Sequence, residues 1–97
     1  IDTLQEGFNH KKTVIIVSDH SEEIAQELMH RVGRGVTFLD GEGAYARTHK
    51  KLIYVVVRII ELSKVKDIVR KIDRGAFMSI IDTKEVEGKG FDLGNLF

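Results

Sequence analysis

An α+β fold of the ferredoxin-like type, with element order βαββαβ, is predicted by three features of the sequence. Four segments are rich in β-branched or aromatic apolar residues, two segments carry an apolar stripe at helical spacing, and they alternate as strand, helix, strand, strand, helix, strand. That order corresponds to a four-stranded antiparallel sheet with two helices packed on one face.

The first ten residues, Ile1 to His10, hold no sustained period and read as a linker in which Leu4 and Phe8 pack locally. Lys11 to Asp19 contains Val14-Ile15-Ile16-Val17, a β-branched run bounded by polar residues, and reads as a buried strand. Ser18, Asp19 and Ser21 all suit a helix N-cap, and Glu22 and Glu23 suit the positive end of a first helical turn. Ile24, Ala25, Leu28, Met29 and Val32 then form one apolar stripe, and Gly33 supplies the stop.

Val36 to Leu39 reads as a second strand, interrupted by Gly41-Glu42-Gly43, with Ala44-Tyr45-Ala46 as its resumption. After the polar turn Arg47-Thr48-His49-Lys50, Lys51 to Ile60 is the longest strand. Glu61 to Asp73 is a second helix, with Leu62, Val65, Ile68, Val69 and Ile72 on its stripe, ended by Arg74-Gly75. Ala76 to Val86 gives the fourth strand, with Phe77 expected in the core, and a turn Gly88-Lys89-Gly90-Phe91 follows. The expected organisation is thus a linker over 1–10, a folded domain over 11–92 and a tail over 93–97.

In this topology strands one and three are central, and they are the most apolar here. Along the third strand Leu52, Tyr54 and Val56 point one way while Ile53, Val55, Val57 and Ile59 point the other. The helices cover only one face, so a strand apolar on both sides predicts that the open face is covered too. A homo-oligomer, dimer or trimer, through that face is the expectation, with residues of a longer chain, or Lys and Arg stems together with the C-terminal tail, as the alternative cover. A chain this short gains from such burial, since it removes only about 60–65% of its unfolded surface from water when it folds alone.

Composition sets further bounds. Of 97 residues, 42% are apolar and 31% charged, enough for a core and for solubility. Lys plus Arg and Asp plus Glu number 15 each. That balance argues against nucleic acid as a partner, because neutralising phosphate requires surplus cation. Without cysteine there is neither a disulfide framework nor a thiolate nucleophile, which suits a reducing compartment. No apolar run approaches the ~20 residues that cross a bilayer. The chain opens on Ile1 rather than Met, as expected of a piece of a longer protein.

Several ordered motifs resemble one family. Ile16-Val17-Ser18-Asp19 leads into a helix and is followed by Gly33-Arg34-Gly35-Val36-Thr37 and Gly41-Glu42-Gly43-Ala44-Tyr45. Ile72-Asp73-x-x-Ala76-Phe77 and Val86-x-Gly88-x-Gly90-Phe91 come next. Together they resemble the C-terminal cytoplasmic domain of the YitT family of bacterial membrane proteins, a domain of unknown function. Ile1-Asp2-x-x-x-Glu6-Gly7 resembles the join to the membrane part. The resemblance implies a parent with N-terminal transmembrane helices, placement at the cytoplasmic face of the membrane, and a fold related to the PII signalling proteins. Those are trimeric sensors that bind nucleotides and small metabolites between subunits. No phosphate-binding residue of theirs maps onto this chain one by one.

The residues that suit a ligand are Arg34, Gly35, Thr37, Gly41, Glu42, Gly43, Tyr45, Arg47 and Lys89. Glycine N–H groups cradle anions, the arginines and Lys89 supply charge, and Thr37 adds a hydroxyl. Simpler readings stand beside this one. Gly33 caps a helix, Gly35 starts a strand, Gly41 and Gly43 form a bulge or bend, and Asp40 and Glu42 belong to a solvated turn. The segment is neither a P-loop, lacking Gly-Lys-Ser/Thr, nor a dinucleotide fingerprint, because its glycines lead into a strand. His10, His20, His30 and His49 lack zinc-ligand spacing, and Ser18 and Ser21 beside His20 do not make a triad. The expectation is therefore a regulatory domain that binds an anionic metabolite or nucleotide, with no enzymatic activity and no cofactor. The alternative is a ligand-free oligomerisation module.

Overall fold

The structure, a computed structural model, describes residues 10–84 and 86–88. The expected linker before His10, the tail, and Lys89 lie outside the described residues. The elements are β1 (Lys11–Val17), α1 (Ser21–Arg31), β2 (Val36–Glu42), β3 (His49–Arg58), a 3-10 turn (Ile59–Glu61), α2 (Leu62–Ile72) and β4 (Phe77–Thr83). The sheet order is β2-β3-β1-β4, antiparallel throughout, which is the ferredoxin-like arrangement the sequence predicts.

Register explains the core. Val14 pairs with Val55 and Ile16 with Ile53, so these side chains share the face that the helices cover. Against them α1 buries Ile24, Ala25 and Leu28, and α2 buries Val65, Ile68 and Val69. Each of these residues, and Val57 with them, is at most 1% exposed. Val32, Val36, Leu62, Ile72, Ala76 and Met78 pack round the margin.

Several local expectations change. β2 does not stop at Leu39. Its pairing runs unbroken from Val36 opposite Val55 to Glu42 opposite His49, so Gly41 sits in regular ladder and forms no bulge. Ala44-Tyr45-Ala46 is a hairpin turn rather than resumed strand. Gly43 N–H donates to Thr48 O (2.8 Å) and Arg47 N–H to Gly43 O (2.7 Å), and Arg47 closes the loop at φ 57°, where glycine is the easier residue. Ile59 leaves the sheet for the 3-10 turn, and β4 ends at Thr83 instead of Val86.

Phe77 is not in the core. It opens β4 opposite Val17, and because Met78 and Ile80 pair with Ile16 and Val14 on the covered face, the alternation turns Phe77 outward to 66% exposure. The expected N-caps are also replaced. His20 occupies the N-cap position without a side-chain bond, while Ser18 Oγ accepts the His20 N–H (2.9 Å) and donates to Asp73 (2.6 Å). At the far end of α1 the Gly33 stop is as predicted: φ is 78° and its N–H reaches back to Leu28 O.

Candidate functional site

The residues with ligand-binding character do not form one patch. Arg34 and Glu42 lie about 26 Å apart along extended chain. Thr37 and Gly41, opposite Tyr54 and Lys50, belong to the open face, whereas Val36, Phe38 and Asp40 alternate to the other side. Only Glu42, Gly43, Tyr45 and Arg47 meet, at the β2–β3 hairpin.

That hairpin is self-satisfied. Arg47 Nε donates to Glu42 Oε2 at 2.6 Å, and the Gly43 and Arg47 N–H groups are both used within the loop. Tyr45 is fully exposed at the tip. A Cβ on Gly41 would lie 2.8 Å from Leu52 Cδ1, so glycine here lets Leu52 lie across β2 on the open face.

Arg34 is committed at the opposite end of the sheet. Its guanidinium grips Glu61 with two bonds, Nε to Oε1 at 3.1 Å and Nη2 to Oε2 at 2.8 Å, and the side chains are only 10% and 15% exposed. Glu61 Oε1 also accepts the Arg58 N–H (2.8 Å), closing the 3-10 turn, and Arg58 Nη2 lies 3.5 Å from Oε2. Burial alone would push the Glu61 carboxyl up. The Arg34 and Arg58 hydrogen bonds and the two guanidinium charges outweigh that and hold it below its ordinary value. Sequence spacing offered no hint of this pair, because its members come from different elements brought together by the fold.

A cleft of about 380 Å³ opens between the β1–α1 turn and the start of β3, lined in part by Ser18, Asp19, His20, His49, Lys50 and Lys51. None of the ligand-binding candidates lines it. Its lysines are already paired, Lys50 with Asp19 at 2.7 Å and Lys51 with Glu22 at 2.9 Å. Ser21 Oγ is turned to the Ser18 and Lys51 carbonyls, at 2.8 and 2.5 Å. Ser18 bonds Asp73 directly, and with the Gly75 N–H it holds that carboxyl below the usual range. Neither hydroxyl is aimed at an imidazole base. Among the described residues there is no grouping of His, Asp and Glu able to hold a metal ion.

Part of the exposed apolar surface lies on the open face. Leu39, Tyr54, Phe77 and Ile81 are exposed there, and Ile15, Val17, Leu52 and Val56 are half-buried between them. Cross-strand pairing joins them: Ile15 with Tyr54, Val17 with both Leu52 and Phe77, Leu39 with Leu52.

Comparison with known proteins agrees with this architecture. Residues 34–88, from Arg34 through the hairpin to the end of β4 and beyond, match the family described as "Uncharacterized protein conserved in bacteria (DUF2179)". The chain belongs to the DUF2179 family. Among curated relatives of this DUF2179 chain, the UPF0750 membrane protein YxkD of Bacillus subtilis (strain 168) is 38% identical over 91 residues, covering 94% of this chain and 33% of the relative. The UPF0750 membrane protein YitT of the same organism is 30% identical over 78 residues, covering 80% and 28%. The chain thus spans about a third of the length of these curated relatives. The solved DUF2179 protein from Eubacterium ventriosum is 33% identical, with TM-score 0.64 over 72% of this chain and 96% of that one. Arabidopsis thaliana PII, 18% identical, superposes with TM-score 0.68 over 84% of this chain and 81% of that one, so the PII-like fold is shared. No described helix is long and apolar enough to cross a membrane.

Proposed function

We propose that this DUF2179 chain is a regulatory domain of a membrane protein, held at the cytoplasmic face, that self-associates through the open face of its sheet. An anionic metabolite or nucleotide is taken up where the hairpin end of that interface brings two copies together. The observation that carries the reading is the open face, where apolar side chains of β1, β2, β3 and β4 form one connected surface that no helix covers. A surface of this kind is far better buried against its own copy than left in water.

The ligand follows from what one copy lacks. The hairpin's arginine and loop N–H groups are internally matched. An anion therefore needs groups from a second subunit, and Gly41 on the open face and the exposed Tyr45 are the candidates nearest the hairpin that would meet it there. Arabidopsis PII, of the same fold, was solved bound to citrate, a polyanion of the proposed class. A ligand-free oligomerisation module is the second reading, favoured by that same internal matching at the hairpin.

Native mass measurement combined with thermal shift tests both on one sample, with citrate and ATP as probes. The regulatory reading expects an oligomer whose melting temperature rises with one of them, and expects Arg47→Ala to lessen that rise. An oligomer indifferent to both probes favours the module. A monomer at micromolar concentration overturns self-association and with it the placement of the ligand.

A further inference from the structure

Cations are distributed unevenly between the two ends of the sheet although the chain's formal net charge is zero. Around the hairpin three cations each meet a carboxylate of their own: Arg47 with Glu42, Lys50 with Asp19 and Lys51 with Glu22. At the other end β1 begins, β3 finishes, α1 ends and α2 starts. There Lys12 meets Asp82, while Arg34 and Arg58 share the single carboxylate of Glu61. Lys64 reaches only the Arg31 carbonyl, at 3.5 Å, and neither Arg31 nor Lys64 has a carboxylate partner among the described residues. Arg58 Nε is buried with no hydrogen-bond partner. The dipole of α1 accounts for Arg31 at its C-terminus. It does not account for Lys64 in the first turn of α2, where a cation is unfavourable.

The same end exposes two neighbouring isoleucines. Ile59 is 40% and Ile60 61% exposed on the 3-10 turn, between Arg58 and Lys64. Ile59 N–H is bonded to the His10 carbonyl at 2.9 Å, so the chain at His10 is held at this corner.

We infer that this end of the domain is a membrane-docking surface: Ile59 and Ile60 enter the interfacial region of the bilayer while Arg31, Arg58 and Lys64 meet anionic lipid headgroups. The inference rests on the membrane-attached reading above and not on self-association. Adjacent apolar side chains ringed by cations are what a peripheral surface needs, each basic residue gaining from the negative leaflet within a Debye length. Cations near the membrane also suit its cytoplasmic side. Docking would fix the tilt of the sheet, and so the direction in which the open face meets a second copy.

The experiment is sedimentation of the 97-residue chain with vesicles of phosphatidylcholine alone or mixed equally with phosphatidylglycerol, at low and high salt. Binding is expected to the mixed vesicles at low salt and to fall away at high salt. Arg31→Glu with Lys64→Glu, both on exposed side chains, should lower partitioning about tenfold or more. Ile60→Ser should lower it about threefold, and Arg74→Glu, at the opposite end, should leave it unchanged. Melting temperature and native mass of each variant show that fold and assembly are intact. Equal binding to both vesicle types, no binding to either, or a charge-reversed variant that sediments like the parent overturns the proposal. So does duplex DNA displacing the chain from vesicles at stoichiometric amounts, which would make the cationic end a nucleic-acid surface. Loss of the oligomer with vesicle binding retained counts against the self-association reading alone.

Discussion

The two faces of the sheet are built from nearly the same residue types and end in opposite states. On one side Val14, Ile16, Ile53, Val55 and Val57 are sealed beneath α1 and α2. On the other, Ile15, Val17, Leu52 and Tyr54, borne by the same strands, stay partly in water. β-Propensity does not distinguish these sets, and neither does hydropathy. What distinguishes them is whether an element of the same chain lies over them. Apolar character alone therefore marks surface that is to be buried, not surface buried within the monomer.

The comparison breaks most visibly on the covered side. Ile53→Ala should cost about 2–5 kcal/mol of unfolding free energy, because the site is sealed and relaxes only in part. A loss below about 1 kcal/mol in denaturant melts would mean that this face is less well packed than described.

Next in size is the polar exception at the margin of the covered side. Glu61→Gln removes the charge that Arg34 and Arg58 share, and should cost about 2–3 kcal/mol. Acid should reproduce it. The folded carboxyl lies below its unfolded value, so its contribution is fully present above the unfolded value and disappears as pH falls through the folded one. Melts of parent and variant taken across the acid range should converge toward low pH, and a constant gap between them would contradict the assignment.

On the open side Tyr54→Glu should leave the monomer's stability within about 1 kcal/mol, since its side chain already meets water, yet drop the native mass to that of one chain. An unchanged mass would mean that this part of the face is not the interface. The smallest effect is expected away from both faces. Arg47→Gly relieves the positive φ at the hairpin and gives up an exposed bond to Glu42, for a net gain below about 1 kcal/mol in thermal melts.

Much of the fold was legible because it depends on short-range periodicity. The stripes of both helices, the Gly33 stop and the double-apolar β3 could each be read from a few neighbouring residues. The errors came where periodicity was overridden by pairing. The Gly41-Glu42-Gly43 run looked like a break, but β3 supplies an unbroken ladder opposite it through Glu42. Phe77 looked like core, and one step of β4 register put it outside.

The ligand-binding candidates were less legible. They were chosen for glycine density in sequence, and extended β2 carries them toward opposite ends of the sheet. Arg34 finds Glu61 and Ser18 finds Asp73 across long stretches of chain. No local pattern encodes such a meeting.

By itself the sequence determined the class of fold, the covered stripes of the helices and the excess of apolar surface, since these follow from residue type and a period of two or near four. Only the tertiary structure decided which arginine is spent on an ion pair, which apolar face remains open, and that Arg31, Arg58 and Lys64 come together at one end of the sheet. These arrangements are fixed by strand register and helix packing over long stretches of chain, and a one-residue shift in register would have changed them.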